Sequence, residues 1–544
     1  MSKVAHYLQE HVQGEVMTST DARRYFATDA SIFQVAPSVV VYPRAESDVR
    51  KIARFTWQLA ERGRKIPVTA RGSGTDLSGA AIGSGVLIVF PAHLNRIVEL
   101  DGKTGFVTVE PGINFGKLQQ TLLTHERFLP PAPASAEYST IGGAVANNAS
   151  GERSVKYGSM REYVEKLRVV LANGEVIETG RLSKRELGKK MGLATFEGEL
   201  YRTIDALIEE NGKLLDQLDL KTTKNTAGYA LHEVKRADGS FDLTPLITGS
   251  QGTLGIVTQI TLATEDHNPS TTLLVASFED HQQACQAVAE LRALQDLPSS
   301  LEMVDEHLLA MVDTLNPNQL KGIIAKPFPK VLLLVEYDEH ERAQKRMSKK
   351  AQRVLEKFGA EVHVETDPVE QQKFWRVRHS SASVVAHSEG GRRALPIIDD
   401  GIVPPEKLQE YIEKVYALYK RFGLRPALWG HLGDANLHLQ PFLDLGQVGD
   451  RQKLFKLIDE YYKLVVSLGG STNAQYGDGR LRGPYLAEQY GAEVYQLLQK
   501  VKAAFDPHGT LNPGVKIDVT LADVKPLLRT SYSLDHLYAH LPRS

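Results

Sequence analysis

The chain has 544 residues, too many for one hydrophobic core, so at least two domains are expected. Hydrophobic residues make up 42% and charged residues 24%, the balance of a globular chain, and a formal net charge of −2 gives no electrostatic reason to expect nucleic acid. The one cysteine, Cys285, excludes an intrachain disulfide and a cysteine-ligated iron–sulfur cluster, and it falls in a predicted helix as a packing residue.

Met1 to Gly14 is mixed polar and lacks a signal pattern, and no apolar run approaches about 18 residues. A cytoplasmic location is expected, with peripheral membrane contact left open. Val39 to Tyr42 reads as a strand closed by Pro43, followed by a helix over Ser47 to Arg62 whose Val49, Ile52, Ala53 and Leu59 recur at helical spacing. Strands are predicted at Ile66 to Ala70, Val86 to Phe90, Arg96 to Leu100 and Phe106 to Val109, and a helix at Phe115 to His125. Leu167 to Leu171 and Glu175 to Thr179 flank Asn173-Gly174, a hairpin expected to turn through type I′ geometry. Helices follow at Lys184 to Met191 and Glu197 to Asn211, and Leu246 to Thr261 closes the first half with a strand. Composition shifts near His267-Asn-Pro-Ser270. Beyond it, strands at Thr272 to Phe278, Val331 to Tyr337 and Glu361 to Thr366 alternate with helices at His281 to Leu294 and Glu341 to Phe358. This reads as an antiparallel sheet with helices on one face. Long helices are predicted at Glu406 to Phe422, Gln452 to Ser467 and Tyr485 to Phe505. The mixture defines an α+β fold rather than regular βαβ repeats.

Two glycine-rich segments carry the functional signal. Arg71-Gly-Ser-Gly-Thr-Asp-Leu-Ser-Gly79 follows a predicted strand, and its small residues let backbone N–H groups converge on a pyrophosphate. It lacks both Gly-Lys-Ser/Thr and G-x-G-x-x-G. A second run, Ser135 to Gly151, lies about 60 residues on; two such segments fit a long ligand gripped from both sides.

These segments, together with Tyr157-Gly158, Gly249-Ser-Gln-Gly-Thr-Leu-Gly-Ile256, Gly430-His-Leu-Gly-Asp-Ala-Asn-Leu-His438 and Leu511-Asn-Pro-Gly514, resemble the flavoproteins of the vanillyl-alcohol oxidase and p-cresol methylhydroxylase (PCMH) type. Within them the chain is most similar to the D-lactate, glycolate and D-2-hydroxyglutarate dehydrogenase branch. The resemblance implies a two-subdomain PCMH-type FAD-binding domain at 36–266 after an N-terminal segment at 1–35. It then implies an antiparallel-sheet substrate (cap) domain at 267–480, a C-terminal helical segment at 481–520 returning to the FAD domain, and a tail at 521–544. It implies non-covalent FAD, since Arg71 to Gly79 contains neither histidine nor cysteine. The FAD contacts expected are Arg71, Gly72, Ser73, Gly74, Thr75, Asp76, Ser78, Gly79, Ser135, Thr140, Ile141, Gly142, Gly143, Asn148, Gly151, Gly158, Gly255, Ile256 and Asn512.

Oxidising a 2-hydroxy acid requires a carboxylate clamp and a proton acceptor. Arg376 and Arg378 face different ways on a helix, and the family pattern Trp-x-x-Arg selects Arg378 as the clamp. His431 and His438 can converge if Gly433 to Asn436 folds as a turn. In relatives these histidines and a glutamate hold a divalent ion such as zinc or manganese, and a following histidine is the base. Here those two positions are Gln475 and Tyr476, a poor cation ligand and a phenol with an ordinary pKa near 10. Asp478 is the acid placed to compensate, Gln251 stands where many relatives have glutamate, and Ala382 and Ile398 fall where polar groups are expected.

The reading that results is an FAD-dependent oxidation of a D-2-hydroxy acid at a remodelled centre, with Arg378, His431, His438 and Tyr476 as catalytic groups. Electrons would leave to an external acceptor: a quinone, an electron-transfer protein or O2. The alternatives are another flavin chemistry, such as alkylglycerone-phosphate-synthase-like transfer, and a flavin-binding protein with little turnover. A homodimer is left open.

Overall fold

The computed structural model describes residues 3–381, 388–389, 392–425 and 427–530. Ala382 and residues 531–544 of the expected tail lie outside the described residues.

Short valine- and isoleucine-rich runs build the first sheet. Strands Val39–Tyr42, Val86–Val89 and Val68–Arg71 pair in parallel in that order, and Glu15–Met17 adds antiparallel to the outer edge. The helix Glu46–Glu61 packs Val49, Ile52 and Ala53 onto Val39, Val41, Val86 and Ile88. A second, antiparallel sheet runs Ile97–Asp101, Phe106–Val109, Ile256–Ala263, Val164–Val170, Val176–Glu178. Its central strand, Ile256–Ala263, comes from far along the chain and alternates buried and half-buried residues, the period-two pattern of a sheet with one face on the core. The hairpin at Asn173-Gly174 forms, but not through a type I′ turn. Only Gly174 has positive φ (+83°); Gly174 N–H donates to the Leu171 carbonyl and Leu171 N–H to that of Glu175. This is the three-residue connection in which a left-handed glycine follows a type I turn.

The third sheet has six antiparallel strands: Glu361–Glu365, Thr272–Phe278, Val331–Tyr337, Ser300–Asp305, Leu428–His431 and Asn436–Leu439. Its helices lie on both faces, not one. His281–Arg292, Glu341–Lys357 and Leu408–Arg421 cover the side carrying Leu274, Ala276, Leu333 and Val335. Glu306–Leu315 and Pro368–His379 cover the side carrying Leu273, Val275, Leu332 and Leu334. All seven residues of Val331–Tyr337 are consequently buried, Glu336 included, and alternation could not orient the apolar stretch Val331 to Val335. Cys285 lies within the first helix layer, where burial pushes its thiol up to about 12.

The helix Leu486–Phe505 breaks at Gly491 and returns the chain to the second sheet's core, placing Val494, Leu498 and Val501 beside Tyr201, Ile204 and Tyr229. Leu511 then bridges Val68 in parallel and extends the first sheet. Lys516 and Asp478, both fully buried, pair at 2.6 Å and fasten this return to the loop after the third sheet. Lys516→Met leaves the Asp478 carboxylate buried without its counter-charge and is expected to cost about 3–5 kcal/mol, read as a lowered midpoint in urea unfolding.

Candidate active site

A cavity of about 370 Å3 opens where the loop after Val68–Arg71 meets the short helix Ile141–Asn147. The two small-residue runs are in contact. A Cβ on Gly72 would stand 2.2 Å from Thr140 Oγ1, and Asn147 Nδ2 donates to Asp76 Oδ1 at 3.1 Å. Thr140 caps the helix by accepting from Gly143 N–H. The left-handed turn at Gly74 (φ +79°) folds the loop over its own Arg71 side chain, leaving no room for a side chain there.

Of the expected FAD contacts, Arg71, Gly72, Ser73, Gly74, Thr75, Asp76, Ser135, Thr140, Gly142, Gly143 and Gly255 line this cavity. The others do not line it. Ser78 donates to Asp76, and the Gly79 carbonyl accepts from Arg480. Ile141 and Ile256 are core residues. Asn148 ends the helix in left-handed geometry and accepts from Arg161 N–H. Gly151 lies against the Ala132 carbonyl, where a Cβ would come within 1.9 Å, and Gly158 turns with φ +70° over Glu162. Asn512 accepts from Thr69 and donates to the carbonyls of Ala80 and Gln251. Gln251 explains its own amide: Nε2 donates to Ser78 and Asn147 while Oε1 accepts from Gly479 N–H. A glutamate could supply only the acceptor half of that set.

Gln475 and Tyr476 form part of the same wall. Behind them, Leu428–His431 and Asn436–Leu439 form the hairpin that brings the histidines together, with ring centroids 5.1 Å apart. The turn needs left-handed backbone at Ala435 (φ +55°). Both Nε2 atoms converge on the Gln475 amide nitrogen, at 3.2 Å from His431 and 3.3 Å from His438. Each Nδ1 meets a buried carboxyl at 2.7 Å: Glu302 for His431 and Asp399 for His438. Burial and the neighbouring Lys224 ammonium hold the His431 pKa well below its ordinary value. Tyr476 stacks on the His438 ring at 5.6 Å, with the Arg482 guanidinium 5.9 Å from the tyrosine ring centre. Burial, with Asp399 and Asp400 nearby, raises the Tyr476 phenol well above its ordinary range.

Several expectations need correction. Arg376 is exposed and Arg378 buried, so the structure separates the pair, and Arg378 is already half engaged. Its Nε and Nη2 are each 2.8 Å from Glu302 Oε2. Burial pushes the Glu302 carboxyl up to about 8 against the opposing pull of Arg378. Asp478 does not compensate for the missing glutamate: it is taken by Lys516, Asn473 and Gly228 N–H. Ile398 is a buried core residue, while the polar groups of that stretch are its neighbours Asp399 and Asp400. Asp400 accepts from the backbone N–H groups of Ala474, Gln475 and Tyr476 and so fixes the whole segment.

Sequence reasoning missed Lys224, Ser150, Asn147, Glu302, Asp399 and Asp400. The adjacent acids after Leu395-Pro-Ile-Ile398 were a visible signal, because paired carboxylates next to an apolar run are rarely buried without a partner. Lys224, in an irregular stretch, offered none.

The architecture shows the fold first. It aligns with p-cresol methylhydroxylase with substrate bound at a TM-score of 0.69 and 16% identity, over 96% of this chain and 97% of that one. An alkyldihydroxyacetonephosphate synthase aligns at 0.62 and 14%, over 94% and 84%. A family model for the FAD binding domain matches residues 37–180, and one for the C-terminal domain of FAD linked oxidases matches residues 267–515. The chain thus carries an FAD binding domain followed by a C-terminal domain of the FAD linked oxidase kind, and FAD is its cofactor. It is 31% identical over 535 residues to a D-2-hydroxyglutarate dehydrogenase of Escherichia coli (strain K12), covering 94% of this chain and 51% of the relative. It is 28% identical to the glycolate oxidase subunit GlcD of Bacillus subtilis (strain 168), over 91% and 92%, and 28% to a D-lactate dehydrogenase of Archaeoglobus fulgidus, over 92% and 96%. The chain spans about half the length of the D-2-hydroxyglutarate dehydrogenases that it matches. Among the described residues no helix is long and apolar enough to cross a membrane.

Proposed function

We propose that the chain oxidises a D-2-hydroxy acid of the lactate, glycolate or 2-hydroxyglutarate kind to the 2-oxo acid and passes the electrons to an external acceptor. The observation that carries this reading is that Tyr476 and Gln475 share a wall with the two small-residue runs, so the FAD cavity borders a cluster of proton-handling groups. The names of the relatives support the substrate class. FAD, when bound, supplies the hydride acceptor.

The chain's own residues manage the rest. The Tyr476 phenol stays protonated and donates to the substrate oxygen. His438 takes the hydroxyl proton at Nε2 once the substrate hydroxyl has displaced the Gln475 N–H from that atom, and Asp399 at Nδ1 offsets the imidazolium charge that results. His431 is the poorer base, because burial and then the Lys224 ammonium disfavour its protonation. Arg378, steadied by Glu302 through Nε and Nη2, keeps Nη1 for the substrate carboxylate.

Anaerobic mixing with each isomer of lactate and 2-hydroxyglutarate, and with glycolate, tests this. At least one D-isomer or glycolate is expected to bleach the bound flavin and yield an equivalent of 2-oxo acid. Fully loaded enzyme that none of them bleaches would overturn the reading.

A further inference from the structure

We infer that His431 and His438 form no metal centre in this chain, because Gln475, held by Lys224 and Ser150, turns an N–H2 group toward them and Lys224 supplies the positive charge that a divalent ion would bring. The donor set is the first reason. Two imidazoles and an amide are a poor site for zinc or manganese, and among the described residues no three of His, Cys, Asp and Glu are grouped as a metal would need.

The orientation of the amide is the second. Gln475 Oε1 accepts from Ser150 Oγ at 2.7 Å and Lys224 Nζ at 3.2 Å. An ammonium can only donate, so the amide oxygen must face Lys224 and the nitrogen must face the rings. The two hydrogens of that nitrogen then meet the lone pairs of His431 and His438 Nε2. Those are the lone pairs a metal would use. Flipping the amide to ligate an ion would set its N–H2 against the ammonium of Lys224.

Charge is the third reason. Lys224 is buried, bonded to the hydroxyls of Ser150 and Ser154 at 2.8 and 3.0 Å, with Asp434 3.6 Å away. A dication on the imidazoles would face this ammonium across a single amide group, in surroundings that screen little. Lys224 is therefore a positioning residue. It orients Gln475, whose N–H2 group then meets Nε2 of both rings.

The metal content of the FAD-loaded enzyme, after growth with added Zn2+ and dialysis, tests this independently of turnover. The wild type is expected to carry far less than one ion per chain; one zinc per chain overturns the proposal. The Gln475→Glu/Lys224→Met double variant restores a carboxylate and removes the cation. It is expected to take up one zinc per chain while keeping its FAD, and a folded, flavin-bound double variant that takes up none overturns the assignment of exclusion to these two residues. Imidazole 15N shifts of the wild type provide the check that needs no variant. Unprotonated Nε2 resonances that stay in place on adding Zn2+ support the proposal, and a zinc-dependent shift overturns it.

Discussion

Purified Gly72→Val protein is expected to be colourless. A Cβ at this position would stand 2.2 Å from Thr140 Oγ1, where Thr140 is itself buried and already accepting from Gly143 N–H. Moving the threonine strips the cap from the helix Ile141–Asn147, and not moving it forces the two small-residue runs apart. The two further methyl groups of valine enlarge the intrusion at a residue that lines the cavity. Overpacking of this kind costs about 1–3 kcal/mol of stability, but the larger effect falls on FAD, whose cavity depends on the two runs staying together. The measurement is flavin absorbance after reconstitution and gel filtration. Gly188→Ala is the control, because a Cβ there meets nothing within 4 Å in the helix Lys184–Met191. It should keep both fold and colour.

Tyr476→Phe is expected to keep its FAD and to slow anaerobic flavin reduction roughly 10²-fold, the scale of losing one positioned proton donor. The phenylalanine ring retains the stack on His438 and the face presented to Arg482, so packing is preserved. What disappears is a hydroxyl that burial and the nearby Asp399 and Asp400 keep protonated well above pH 10. Because the folded phenol ionises only above its ordinary range, the wild-type rate should show no tyrosine inflection between neutrality and pH 10. A reduction rate unchanged in the phenylalanine variant would remove Tyr476 from the chemistry.

Local periodicity made the frame of the molecule readable. Thr272–Phe278 and Val331–Tyr337 fall where their apolar runs place them, and Leu486–Phe505 lies within one residue of its expected start, though Gly491 breaks it. The order in which strands pair was not readable. Ile256–Ala263 enters the middle of a sheet whose other strands precede it by dozens of residues, a non-local pairing that leaves no mark on its own sequence. Helices on both faces of the third sheet escaped for a related reason: a strand buried on each side shows no alternation, so neither face announces its partner. Ser300–Asp305 was missed because Glu302 and Asp305 break its apolar run, although both are buried. Glu302 is buried because Arg378 and His431 meet it there.

At the site, the backbone requirement was legible and the side-chain network was not. Gly72 and Gly74 announce themselves through small size and Thr140 through the resemblance, whereas the short helix that Thr140 caps was not anticipated. The meeting of His431 and His438 could be argued from the turn at Gly433 to Asn436. The partners that give those imidazoles their state, Glu302, Asp399, Lys224 and Ser150, come from four separate stretches that only the folded chain brings together.

The most direct measurement is the FAD content of the purified, reconstituted chain before and after denaturation. One FAD per chain is expected, all of it passing to the supernatant when the protein is precipitated. A colourless protein that takes up no FAD would contradict the account at its root, and yellow colour remaining on the precipitate would contradict the non-covalent grip of the two small-residue runs.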